Sequence, residues 1–236
     1  MEKDGLLFEG GTQSVRRSDE DGMLIVARND MVVNEKDGSA EEIPGKGAIV
    51  NRMTNKLCRF LETKGIRTAF VEELSDTESL VRELEMIPVE VTVRNYSAGE
   101  FPEKTGMPEG TALPVPTAEF RYLKKELGNP EINGYYALAM KLLTEAEVET
   151  VVRTAFRVNE ALSEYLKNAK MDLVDLRLIF GRLKGDILVA CGLSPDNMRL
   201  WDSTTHEKLD RDRFVLGLGN VADAYREAFL RLEPKA

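Results

Sequence analysis

Residues 174–181 read VDLRLIFG, and residues 191–202 read CGLSPDNMRLWD. The first stretch alternates apolar residues with one acid, Asp175, and one base, Arg177. That is the period-2 pattern of a strand with one buried face. The second stretch packs Ser194, Asp196, Asn197 and Arg199 around a Ser-Pro-Asp turn. Together they predict two neighbouring strands carrying a binding site. Ile179 and Cys191 occupy the places where carboxylates for a metal would be sought, and neither is one.

Working outward, GLLFEG, QSVRR and GMLIVAR near the start are short, apolar and separated by turn residues, as in an antiparallel sheet. NEKDGSAEEIPGKG reads as a polar loop. AIVNRMTNKLCRFLETKG has helical periodicity and a stop at Gly65. SDTE at 75–78 has capping-box spacing and predicts a short helix through Leu84. EMIPVEVTVRN alternates like a strand, and residues 108–135 read as irregular structure around the strand AEFRYL. TEAE at 144–147 is a second capping box, opening a helix to about Lys170. VADAYREAFLRL closes the chain as a helix. Strands first and mixed elements afterwards predict an α+β fold. Its expected division is a β-rich lobe with a helix over 1–84 and an α+β lobe over 85–236, with a cleft between.

The 236 residues are 42% hydrophobic and 31% charged, with net charge −9. An acidic chain is a poor coat for a nucleic-acid polymer, although a small phosphorylated ligand needs only a few local cations. Two cysteines, Cys58 and Cys191, give neither a disulfide framework nor zinc spacing, so a reducing, cytoplasmic setting is expected. No apolar run reaches signal-peptide or transmembrane length, and no membrane partner is expected.

GKGAIVNRM, LSDTESLVRELEMIPVEVTVRNYSAGEF, LVDLRLIFG and LSPDNMRLWDSTTHEKLDRDRF carry a further signal. In order and spacing they resemble the SAICAR synthetases, over essentially the whole chain. That family joins aspartate to a phosphoribosyl-aminoimidazole carboxylate with ATP, on a two-lobed, ATP-grasp-related α+β fold with antiparallel sheets and a central cleft. The resemblance implies that Arg94, Asn95, Arg177, Ser194 and Arg199 bind a phosphoribosyl nucleotide. It makes Asp175 and Asp196 ligand-contacting or catalytic, and it implies self-association.

The departures are as informative. Where the family carries a Gly-Lys-Ala-Lys type segment, this chain has Gly10 to Gln13, with Gly11 and Gln13 in place of lysines. The family's Lys and Glu on the VDLRLIFG strand are Arg177 and Ile179 here, and an Asp-Glu pair is Cys191 and Gly192. An Asp-Pro is Asn129–Pro130, and a Ser is Glu100. Magnesium prefers hard oxygen ligands, and triphosphate needs cations. Gly11, Gln13, Ile179 and Cys191 therefore read as a degenerate ATP site, with no metal and no cofactor expected unless the chain is a ligase after all. The expectation is a diverged enzyme that closes or rearranges the ring of an aminoimidazole or purine ribonucleotide without ATP. Its precedent is the family's relatives in coformycin and pentostatin biosynthesis. Asp175, Asp196, Glu100 and Cys191 are then the acid–base candidates. Two other readings stand beside it: an ATP-dependent SAICAR synthetase, and a non-catalytic nucleotide-binding paralogue. Residue by residue, Arg94 and Arg199 read as phosphate holders or as structural ion pairs, Asp175 and Asp196 as site residues or turn caps. Cys191 reads as a small core residue or as a nucleophile served by His206, the only histidine.

Overall fold

The computed structural model describes residues 5–190 and 192–233. Its first sheet has five antiparallel strands: β1 (Leu6–Glu9), β2 (Gln13–Arg17), β3 (Met23–Arg28), β6 (Phe70–Glu73) and β7 (Glu78–Arg82), in the order β1-β2-β3-β7-β6. A small hairpin, β4 (Met31–Val33) and β5 (Ala40–Glu42), replaces part of the expected polar loop. Helix α1 (Lys46–Thr63) follows and ends before Gly65, which takes the left-handed φ of 70° that a helix stop requires. The start of α1 is held by Asp30, whose two carboxylate oxygens accept the N–H groups of Gly45 and Gly47 at 2.9 and 2.8 Å. An acid there satisfies orphan donors and suits the helix dipole.

The second sheet is built on β11 (Met171–Leu183), a thirteen-residue strand. On one side lies β8 (Glu85–Tyr96), followed outward by β9 (Ala112–Tyr122) and β10 (Glu131–Ile132). On its other side β11 pairs first with β13 (Met198–Asp202) and then with β12 (Asp186–Ala190). The Ser194–Asn197 turn sits where β11 passes from one partner to the other, and the Arg177 N–H bonds the Asn197 carbonyl there at 2.9 Å. Between β8 and β9 runs α2 (Phe101–Thr105), and α3 (Gly134–Ala139) precedes α4 (Glu145–Asn168). The predicted capping box of α4 is present: the Thr144 hydroxyl accepts from the Glu147 N–H while the Glu147 carboxylate accepts from the Thr144 N–H. The chain closes through α5 (Asp212–Val215) and α6 (Val221–Leu230).

The core lies between the second sheet and the helices α1 and α4. Val89, Val91 and Val93 of β8 and Leu176, Leu178 and Phe180 of β11 are buried in one cluster with Met53, Leu57, Leu162 and Leu166. Each such side chain stabilises by about 1.5–3 kcal/mol relative to exposure. Although the sheets change over between Arg82 and Glu85, α1 packs into this same cluster, so the buried core does not divide there.

One element differs in kind from the sequence reading. Residues 78–82 form strand β7, not a helix. The Ser75 hydroxyl does accept from the Glu78 N–H at 3.1 Å, as a cap would. The Glu78 side chain, however, turns to Arg16 at 2.9 Å, and Leu80 and Val81 are buried where β7 pairs with both β3 and β6. Ladder pairing and burial override the local capping signal. Strand β13 and helices α2, α3 and α5 are further elements that periodicity did not show, each too short to carry a period.

Candidate functional site

The face of the second sheet opposite the core is polar, and its strand registers arrange it in rows. Side chains alternate along a strand, so Glu90, Thr92 and Arg94 point away from Val89, Val91 and Val93. Register places Arg94 between Thr117 of β9 and Asp175 of β11, and Arg199 of β13 beyond Asp175. Thr92 stands between Glu119 and Arg177 in the next row. In the third row Glu90 lies between Arg121 and Ile179, with Ala190 beyond.

The first row is an ion network. One oxygen of Asp175, a residue only 2% exposed, accepts from Arg94 Nη1 at 2.6 Å and from Arg199 Nη1 at 2.7 Å. Arg94 also donates to Glu119 at 3.0 and 3.1 Å, and Arg199 Nε donates to Asp212 at 2.7 Å. Burial opposes the Arg199 charge, but Asp175 and Asp212 outweigh it and hold the guanidinium firmly protonated. Behind Asp212, the buried Asp210 accepts the N–H groups of Leu200 and Asp212. Burial and the Asp212 charge push its carboxyl well up. Arg94 and Arg199 are thus ion-paired, while lying together on one wall as anion binding requires.

In the second row the Arg177 guanidinium donates to the Asp196 carbonyl at 2.7 Å and to Glu35 at 3.3 Å. Glu35, from the turn after β4, also accepts from Arg211 at 3.0 Å. Partial burial pushes the Glu35 carboxyl up, but Arg177 and Arg211 outweigh it and hold it below the usual range. In the third row Glu90 is 7% exposed. Burial raises its pKa, Arg177 opposes the rise and Glu35 adds to it. A raised carboxyl on this polar face is a candidate acid–base group.

The predicted residues fall into three groups. Arg94, Asp175, Arg177 and Arg199 come together on the face. Asp196 sits at its edge, and its side chain is fully engaged: it accepts from Lys46 Nζ at 2.6 Å and from the Tyr225 hydroxyl at 2.7 Å, both partners buried. It therefore anchors the start of α1 and the middle of α6 to the Ser-Pro-Asp turn, and the Ser194 hydroxyl accepts the Asp196 N–H within that turn. Glu100 immediately precedes α2, and its carboxylate lies 3.4 Å from Arg121 and 3.5 Å from Lys36. Partial burial raises its carboxyl, but Arg121, Lys36 and Lys104 win and keep it ionised. Asn95, expected beside Arg94 at the ligand, faces the other way. Its amide pairs with Asn159 of α4 at 2.8 Å and donates to the Leu173 carbonyl at 2.9 Å, because adjacent strand residues point to opposite faces. Cys191 lies outside the described residues, and a nucleophilic role with His206 has no geometry to stand on.

Gly11 and Gln13 belong to a second feature. Gly10, Gln13, Ser14, Ala27, Arg28 and Asn29 line a cavity of about 210 Å³ on the first sheet. A Cβ at Gly11 would lie 2.9 Å from Val33 of β4. Val33 is two residues from Glu35, a span of at most about 7 Å. The hairpin therefore runs from Gly11, the neighbour of the cavity-lining Gly10, to the Arg177–Arg211 end of the polar face.

Among the described residues, no three His, Cys, Asp or Glu side chains come together to hold a metal. A protein-built magnesium cage does not fit this face. Glu90, opposite Ile179, is its one acid in that row.

Sequence reasoning missed Glu35, Lys46, Glu90, Glu119, Arg121, Arg211 and Asp212 as members of this site. Glu90 was within reach of it: stepping back by twos from Arg94 along PVEVTVRN gives Thr92 and Glu90 on the same face. Glu35 and Arg211 meet over a separation of 176 residues, which no local pattern encodes.

Two antiparallel sheets, one with an arginine–carboxylate face, packed with helices define an α+β enzyme fold. The chain belongs to the SAICAR synthetase family, whose model matches residues 6–232. It is 44% identical to the phosphoribosylaminoimidazole-succinocarboxamide synthase of Lachnoclostridium phytofermentans, over 98% of this chain and 99% of that one. Among solved structures, the enzyme of that name from Ehrlichia chaffeensis superposes with a TM-score of 0.94 at 33% identity, covering 98% of this chain and 100% of that one. A SAICAR synthetase in complex with ADP gives 0.92 at 34% identity, covering 97% and 99%.

These relatives correct the functional expectation. Relatives 40–44% identical over nearly the whole chain carry the name of the ligase, so the reading as an ATP-independent, coformycin-type enzyme is overturned. The chain is an enzyme of the ligase's family. The expectation of no cofactor and the reading of a degenerate ATP site find no support in them, and a relative's ADP complex points the other way. No helix among the described residues is long and apolar enough to cross a membrane.

Proposed function

We propose that this chain is an ATP-dependent ligase that forms the amide between the carboxylate of a phosphoribosyl-aminoimidazole carboxylate and the amine of aspartate. The observation that carries the reading is the paired arginines Arg94 and Arg199 on one carboxylate, Asp175, in a chain whose relatives bear the ligase's name along their full length. Guanidinium forks held rigid by Asp175, Glu119 and Asp212 suit the sugar phosphate, because no rearrangement is needed when it arrives.

An amide forms from a carboxylate only once its oxygen is converted to a better leaving group. ATP supplies this by phosphorylating the carboxylate; the amine then attacks carbon and inorganic phosphate departs. Catalysis of such transfers is mainly positioning and charge stabilisation. Gly11, Gln13 and Ile179 bring no charge to it. Arg28, lining the glycine-bounded cavity, is a cation on that side. We assign Glu90, a nearly buried carboxylate with a raised pKa on the same face, to take the proton that the amine loses. Magnesium would travel on the nucleotide phosphates with few side-chain oxygens.

The reading is tested by incubating the protein with the aminoimidazole carboxylate ribonucleotide, aspartate and Mg·ATP, and following ADP and the succinocarboxamide product together. Stoichiometric formation of both is expected. Binding of the ribonucleotide without aspartate-dependent ADP release would overturn it. Self-association has a candidate surface: a groove of about 560 Å³ lined by Phe120, Ile132, Val148 and Phe156, with Tyr135 and Tyr136 exposed nearby. Light scattering decides whether copies meet.

A further inference from the structure

Glu35 binds the protein as a ligand would. One of its carboxylate oxygens accepts from Arg177 Nη1 at 3.3 Å and the other from Arg211 Nη1 at 3.0 Å. The two sides of this contact differ in firmness. Arg177 and Arg211 are 20% and 19% exposed, and Arg177 is fixed by the Asp196 carbonyl at 2.7 Å. Glu35 is 65% exposed on the turn between β4 and β5, and its bonds are long for charged pairs. Exposed pairs of that kind hold weakly. The cations stay when the acid leaves.

We propose that Arg177 and Arg211 form a subsite for a carboxylate of the amino-dicarboxylic acid substrate, and that Glu35 fills it as an internal stand-in until that substrate displaces it. The proposal rests on the ligase reading for the identity of the substrate. The site's shape favours a carboxylate over a phosphate: the occupant it already holds is planar and gives one oxygen to each guanidinium. Nearby Glu90 is a second acid facing Arg177, and its repulsion would fall more heavily on a dianionic phosphate. The hairpin is also tied at Lys36, 3.5 Å from Glu100, and its β4 strand runs beside Gly11 through Val33. Displacing Glu35 would therefore move a segment that borders the nucleotide's proposed place.

The test uses succinate, an unreactive dicarboxylate, titrated calorimetrically into the full chain. Glu35→Ala should tighten succinate about three- to tenfold, the factor by which a weak internal competitor holds the site closed. Adding Arg211→Ala to that variant should abolish the gain, while inorganic phosphate should respond less to either change. In turnover, Glu35→Ala should lower the KM for aspartate and leave the KM for the ribonucleotide where it was. Unchanged succinate affinity in Glu35→Ala would overturn the proposal. So would a double variant that binds as tightly as Glu35→Ala, or a larger gain for phosphate than for succinate. Succinate binding does not require ligation, so a tightened site in a chain without ligase turnover would sustain the subsite and sink only the assigned reaction.

Discussion

Ile179 on β11 stands directly opposite Glu90 on β8, so the row of the sheet that lacks an acid at position 179 has one across the strand. The acid is nearly buried and its pKa is raised. Ile179→Glu would put two carboxylates in direct cross-strand contact, a pairing that costs about 1 kcal/mol or less in exposed sheets and more where burial adds to it. The variant should melt at lower temperature than the parent, and millimolar magnesium should recover part of the loss. Ile179→Gln should show no magnesium response; equal responses would show that the two acids do not share a cation.

Asp175 holds two guanidiniums at once. Asp175→Ala leaves both without their shared partner in a buried place, which should cost about 3–5 kcal/mol in urea denaturation. Glu119→Gln, on a partner 23% exposed, should cost less than about 1 kcal/mol. A loss from Asp175→Ala no larger than that from Glu119→Gln would show that the network is not what braces β8 against β11.

Arg199→Ala should weaken the phosphoribosyl ligand by roughly 1.5–3 kcal/mol while leaving its dephosphorylated nucleoside nearly untouched. Gly99 offers a subtler route. Its φ of 63° favours glycine, and a Cβ there would lie 2.8 Å from Arg199 Nη2. Gly99→Ala should displace the guanidinium and reproduce part of the same selective loss. Calorimetry with both ligands checks it; equal losses for nucleotide and nucleoside would place Arg199 away from phosphate.

Gln13 stands opposite Arg28 in the register of β2 and β3, at the glycine-bounded cavity. Gln13→Lys should lower the melting temperature slightly by like-charge contact, yet tighten ATP, whose phosphates would bridge the two cations. Gly11→Lys should destabilise more without comparable gain, because its Cβ would meet Val33. Thermal shifts with and without Mg·ATP separate the two.

Glu147 reports on acid stability. Hydrogen bonding to Arg182 and to the Thr144 N–H holds its carboxyl down from the ordinary 4.5 to about 2. A depressed folded pKa stabilises above the unfolded value, and the contribution fades as pH falls from about 4.5 through 2. Glu147→Gln should therefore be less stable at neutral pH and lose less on acidification across that window. Parallel stability curves would show that Glu147 and Arg182 do not pair in solution.

The sequence by itself determined most strands of the two sheets and the two long helices, and it singled out Arg94, Asp175 and Arg199 of the first row. Alternation in VDLRLIFG and PVEVTVRN and helical spacing in the stretches after Gly47 and Thr144 are local, and burial of their apolar faces has no competing solution. Arg94, Asp175 and Arg199 stood out because their motifs resemble a family's. The substitutions at Gly11, Gln13 and Ile179 are legible too, but they do not fix the function: the absence of a charged side chain at one position says nothing of what stands beside it. Only the tertiary structure set Glu90 against Ile179, turned Asn95 towards α4, drew residues 78–82 into a strand, and brought Glu35 to Arg177 and Arg211. Each depends on which strand or loop becomes a neighbour. That choice is made by burial summed over the whole chain, and no window of a few residues contains it.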